Sequence, residues 1–106
     1  MTHPPSYYAV IRERGPGWNW SLPMRRQEKW TEHAAYMDEL AESGFILAGG
    51  PLGDEDKAKR VLHIVNAPDE RAIESRLHED PWTGMQLLIT VSIEPWTVLL
   101  GNRLPI

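Results

Sequence analysis

Cysteine is absent from the 106 residues. That removes disulfides, zinc–cysteine sites and thiol nucleophiles together, and fits a reducing compartment. Long apolar runs are missing too. No stretch approaches the roughly 20 apolar residues that a bilayer span needs, and Met1 to Ser6 offer neither a basic start nor an apolar segment. A cytoplasmic protein with no membrane partner is therefore the expectation. Positive charge is scarce: 11 basic against 15 acidic side chains leave a net charge of −4, so the field that attracts phosphate backbones is lacking and nucleic acid is not an expected partner. Also missing are a phosphate-binding glycine loop, a metal-ligand spacing and a serine nucleophile elbow. Nothing in the sequence calls for a metal or a cofactor.

The length suits one domain around one core, because a unit of this size buries only about two-thirds of its unfolded surface. The charge is uneven along it. Residues 1–30 hold five basic side chains (Arg12, Arg14, Arg25, Arg26, Lys29) against Glu13 and Glu28, while the remainder is acidic. Such a basic segment can receive a small anion or be no more than scattered surface arginines.

Residues 7–12, rich in aromatic and branched side chains and closed by Gly15-Pro16-Gly17, read as a first strand. From about 23 to 43, Arg26, Trp30, His33, Met37 and Leu40 recur at spacings of three and four, the stripe of a long helix that Gly44 ends. Residues 45–48 form a second strand closed by Gly49-Gly50-Pro51, and 60–65 a third after a polar hairpin. A second helix starts at Ala67-Pro68-Asp69-Glu70 and carries Ala72, Ile73 and Leu77 on one face. Asp80-Pro81-Trp82-Thr83-Gly84 breaks it before residues 85–94 alternate as a fourth strand, with Leu87, Ile89, Val91 and Ile93 on one side; 96–100 add a closing strand or arm.

The order βαββαβ predicts an α+β, ferredoxin-like fold: a four-stranded antiparallel sheet with both helices on one face. Both faces of strands three and four carry apolar side chains, more than a one-sided sheet needs. The bare face is expected to close against a second copy, giving a homodimer of barrel-like form.

His33 is the first candidate for chemistry. It shares a helical stripe with Trp30, Met37 and Leu40 and so should face the sheet, and an imidazole titrating near about 6.5 is the natural proton carrier at neutral pH. The competing reading is a core histidine satisfied by one partner. His3, His63 and His78 read as a terminal, a strand and a helix-end residue, each structural. Asp80 stands where helix two gives way to strand four and can orient the His33 ring; equally, Asp followed by Pro81 is a helix cap and first turn. Gly50 and Pro51 can bring bare backbone to a ligand or merely end a strand. Trp18 and Trp20 suit either a lid or a clamp onto the protein itself.

Tyr7-Tyr8-Ala9-Val10, His33-Ala34-Ala35-Tyr36, Gly44, Gly50-Pro51, Asp80-Pro81 and Ile93-Glu94-Pro95-Trp96, taken in that order, resemble the YCII-related (YciI-like) family over about residues 7–100. The resemblance implies a dimeric α/β-barrel superfamily member with a ferredoxin-like fold. It further implies that His33 and Asp80 face a shared pocket as an acid/base pair, and it carries links to the breakdown of aromatic compounds. One departure stands out: many members have an arginine three residues before the histidine, where this chain has Trp30. Arg26, one turn earlier, is the candidate replacement.

The resulting expectation is an isomerase or lyase moving a proton on a small cyclic or aromatic-derived acid. His33 and Asp80 carry the chemistry, and Arg26, Trp30, Gly50, Pro51 and Trp82 bind substrate. The alternative is a non-catalytic dimeric metabolite-binding module; an oxygen-using or haem-dependent member of the wider superfamily ranks third, since fold alone does not transfer function.

Overall fold

The computed structural model describes residues 5–101, so His3 lies outside it. The elements are β1 (Tyr7–Arg14), α1 (Trp30–Glu42), β2 (Ile46–Pro51), β3 (Arg60–Asn66), α2 (Glu70–His78), the single turn α3 (Pro81–Gly84) and β4 (Leu88–Pro95). The strands lie in the order β2-β3-β1-β4 and every pairing is antiparallel, which is the ferredoxin-like α+β arrangement. Leu40 of α1 and Ile73 and Leu77 of α2 join one buried cluster with Val10, Val65 and Ile46. Both helices therefore cover the same face of the sheet.

Strand alternation sends Val10, Arg12 and Arg14 of β1 and Val61, His63 and Val65 of β3 toward the helices. In half of those positions the expected apolar side chain is replaced by a polar one. Arg12, Arg14 and His63 are buried at 0, 3 and 5 % exposure, a local violation of core patterning of the kind found at functional sites.

The first helix begins at Trp30, seven residues later than the stripe predicts. Met24–Arg26 is a separate 3-10 turn, and Lys29 takes a left-handed conformation at φ 61° that interrupts the helical path. The cause is tertiary. The buried Gln27 amide donates to the carbonyls of Asn19 (2.7 Å) and Leu22 (3.1 Å) and accepts from the Asn19 N–H at 3.0 Å, tying this segment to the preceding loop. Gly44, at φ 83°, ends α1 as expected.

Strand β4 starts at Leu88, after Gln86 at φ 56°. A bulge opposite Ile11 and Arg12 then inserts Val91. One extra residue reverses the facing of everything beyond it, so Ile93 packs into the helix-side core, whereas alternation alone placed it with Ile89 and Val91. Those two stay on the open face, 40 and 51 % exposed. Beyond Pro95 the chain forms an arm rather than a strand: Trp96 donates its N–H to Tyr7 O (2.9 Å), Val98 is buried, and Leu99 and Leu100 are exposed.

Candidate active site

Three elements distant in sequence meet beneath α1. Asp80 follows α2 and caps α3, its Oδ1 accepting the Trp82 N–H at 3.0 Å. That same oxygen lies 2.8 Å from His33 Nδ1, and Oδ2 accepts from Arg12 Nη1 at 2.8 Å. One carboxylate thus caps α3 and contacts the imidazole at the same time. Arg12 Nη2 donates to Thr83 Oγ1 at 2.7 Å, so the guanidinium spans both ends of α3. Arg12 and Asp80 are each almost wholly buried.

Burial alone would raise the Asp80 pKa. The hydrogen bonds and charges of His33 and Arg12 outweigh it and hold the carboxyl below its usual range. Asp80 is therefore a carboxylate at neutral pH and accepts from His33 Nδ1–H, the arrangement in which Nε2 is the ring nitrogen left free of it. The Trp82 indole fixes the ring plane: it stacks on His33 at 3.8 Å and 6°. Its own Nε1–H donates to Glu28 O at 2.7 Å, which ties the approach to α1 to the same point.

His33 opens on a cavity of about 360 Å³ between α1 and the β2–β3 side of the sheet, toward the lower end of the roughly 300–1,000 Å³ usual for ligand pockets. Trp30, Gly50, Pro51 and Trp82 line it. Asp80 stands behind the His33 ring rather than on the wall. Arg26 does not reach the cavity. It sits exposed in the 3-10 turn, facing a different surface depression, because the late start of α1 takes it off the His33 stripe. Arg25 and Arg14 line the cavity instead. Both guanidinium groups are committed: Arg25 to Glu55 at 3.0 and 3.1 Å, Arg14 to the carbonyls of Ala58 and Glu55 with its face on the Trp18 ring at 4.0 Å. Trp18 is a clamp rather than a lid, buried edge-on against Trp82 at 5.3 Å. Among the described residues, no cluster of three or more carboxylate, histidine or cysteine side chains is arranged to hold a metal ion.

Two participants escape a local reading. Arg12 looks like the polar half of an alternating strand, and His63 like a structural strand residue. His63 lines the cavity. Burial, followed by the charges of Arg12 and His33, pushes its pKa down from 6.5 to about 4. The unfolded chain therefore binds a proton more readily between those values. The stability contributed by the neutral ring is complete above about pH 6.5 and disappears as the pH falls to about 4, amounting to about 3 kcal/mol. Urea melts across that window should show this loss in the parent, and His63→Leu should remove most of the slope; an unchanged slope would exclude His63 as its source.

The antiparallel βαββαβ sheet, with a cavity under its first helix and Arg12, Asp80 and His33 bonded in series beside it, defines a ferredoxin-like α+β fold. The chain belongs to the YCII-related domain family, whose model it matches over residues 6–97. Among solved structures it resembles the 5-chloro-2-hydroxyhydroquinone dehydrochlorinase (TftG) of Burkholderia phenoliruptrix AC1100, in complex with 2,5-dihydroxybenzoquinone. The TM-score is 0.64 and the identity 26%, covering 86% of this chain and 93% of that one. No curated protein matches the chain. Among the described residues, no helix is long and apolar enough to cross a membrane.

Proposed function

We propose that the protein is a lyase- or isomerase-type enzyme in which His33 Nε2 moves a proton on a small hydroxylated ring, with Asp80 orienting the imidazole and stabilising its cation. The observation that carries this reading is the 2.8 Å contact between His33 Nδ1 and Asp80 Oδ1 behind a ring that opens on the cavity. The resemblance to a dehydrochlorinase supports the lyase form. In such an elimination from the keto tautomer of a halogenated, hydroxylated ring, Nε2 takes an enol O–H proton, the O–H pair becomes a C=O bond, and the enol C=C pair shifts to form a new ring C=C to the carbon that bears the halogen. Halide leaves its carbon with the bonding electrons. The products are a quinone-type ring, halide and a proton on His33, and the step needs no oxidant. Of the two cavity arginines, Arg25 is ion-paired with Glu55 and Arg14 is held by two backbone carbonyls.

The test is turnover of chlorinated hydroquinones and of cyclic lactones by the parent and by His33→Gln. The variant should lose at least a hundredfold in kcat while remaining folded. Equal turnover by both would remove His33 from the chemistry.

The open sheet face is assigned to a second copy of the chain. Ile89 and Val91 are exposed on the sheet face that also carries half-buried Leu62 and Ile64, and such apolar surface marks an association face. Light scattering should give twice the 12.1 kDa chain mass, and Val91→Lys should halve it; a monomeric parent would refute the assignment.

A further inference from the structure

We infer that His63 is a specificity-determining residue of the cavity, reading a hydroxyl group on the bound ring. The strand geometry comes first. His63 lies near the middle of β3, opposite Gly49 of the edge strand β2, and both residues line the cavity. A Cβ on residue 49 would lie 2.5 Å from His63 Nδ1, closer than such contacts are found. The bare Gly49 backbone is therefore what allows the imidazole to lie at that wall. At Gly50 an added Cβ meets nothing within 4 Å, so the steric requirement falls on Gly49 and not on the residue that the sequence nominates.

The bonding count points the same way. His63 is 5 % exposed, yet neither ring nitrogen has a hydrogen-bond partner among the described residues. Buried imidazoles are ordinarily satisfied, and an unpaired buried donor and acceptor are both costly. Arg12 is bonded through both Nη atoms, to Asp80 and Thr83, with only its Nε unpaired, and His33 is bonded to Asp80; His63 has no bonded ring nitrogen. With its pKa pushed to about 4, the His63 ring is neutral near pH 7 and offers one N–H donor and one acceptor nitrogen. A hydroxyl bonds whichever ring nitrogen it meets, donating to the bare nitrogen or accepting from the N–H; an ether oxygen can only accept, and a bare ring carbon does neither. A ring hydroxyl thus satisfies one of the two His63 nitrogens that folding leaves unpaired, and an analogue unable to bond there leaves the penalty in place. That asymmetry is how buried polar groups reject near-isosteres.

This inference rests on the cavity being the binding site of the proposed enzyme, but not on His33 being its base. The experiment is calorimetric titration of the parent, His63→Leu and His63→Gln with two probes under anaerobic conditions: chlorohydroquinone and its dimethyl ether. His63→Leu should bind the diphenol about 10- to 100-fold more weakly while binding the ether as the parent does, and His63→Gln, which keeps a donor and an acceptor, should restore most of the loss. Removing a group whose polar atoms are unpaired should leave the melting temperature of the unliganded protein equal or higher. Should the leucine variant fail to fold, Gly49→Ala takes its place, since its Cβ displaces the ring and should lower the diphenol-to-ether preference in the same direction. The inference is overturned if His63→Leu keeps the parent's affinity for the diphenol, if it loses both probes alike, or if the parent binds neither. If His63 controls the diphenol preference while His33→Gln turns substrate over as fast as the parent, the acid/base reading falls and this one stands.

Discussion

Asp80→Asn is expected to cost about 3–5 kcal/mol of stability and about 10²–10⁴-fold in kcat. The carboxylate receives three donors: Arg12 Nη1, His33 Nδ1 and the Trp82 N–H. An amide sets an N–H₂ against one of them and removes the one full negative charge that, among the described residues, is bonded to the buried Arg12 guanidinium. Against a total near 5–15 kcal/mol for a domain of ordinary stability, that is a large fraction, and the urea midpoint should move accordingly. The activity loss has a separate origin, because without the carboxylate the Nδ1–H tautomer is no longer enforced and Nε2 is no longer reliably the base. Linkage gives a further signature. A carboxyl whose folded pKa is depressed contributes stability that is present above its unfolded value, about 3.9, and lost as the pH falls through the folded value. The parent should therefore lose stability in that acid range, below the His63 window, and Asp80→Asn should lack this last part. A variant within about 0.5 kcal/mol and threefold of the parent, margins small beside the effects expected here, would mean that the triad is neither structural nor catalytic.

Arg12→Leu should be destabilising by a similar amount, about 3–5 kcal/mol, since it strands the Asp80 carboxylate in a buried setting. Its effect on chemistry differs in kind. With the guanidinium gone, burial is opposed by His33 alone and the Asp80 pKa rises, so the acid limb of a pH–rate profile should shift upward while His33 keeps its contact. Arg12→Lys should recover only part of the stability, because a single ammonium cannot reproduce the fork that reaches both Asp80 Oδ2 and Thr83 Oγ1. A double-mutant cycle over Arg12 and Asp80 measures the coupling directly. A coupling near zero would show that the 2.8 Å contact contributes nothing.

Local readings succeed here wherever one element supplies the whole signal. The aromatic and β-branched run opening β1, Gly44 closing α1, and the Asp80-Pro81 pair starting a helical turn all act within a few residues of themselves, and each stands where the sequence places it. They fail where a distant side chain intervenes. Gln27 holds back the start of α1 through bonds to Asn19 and Leu22, and so takes Arg26 off the His33 stripe. The bulge opposite Ile11 and Arg12 turns Ile93 to the core. Arg12 and His63 gave no signal beyond being polar members of alternating strands, which is also how a solvent-facing residue looks.

From its residue pattern alone the chain determines the order of strands and helices, the apolar face of each long helix, and an imidazole on the inward side of the first helix, because these follow from periodicities of two and 3.6 along a continuous segment. Tertiary structure decides which polar groups that burial brings together. Arg12 and Asp80 stand 68 positions apart and His33 and Asp80 47, and no local repeat encodes which of several arginines, aspartates and histidines will share one desolvated space. Only the closing of sheet against helices makes that choice, and with it the charges and tautomer that the proposed chemistry requires.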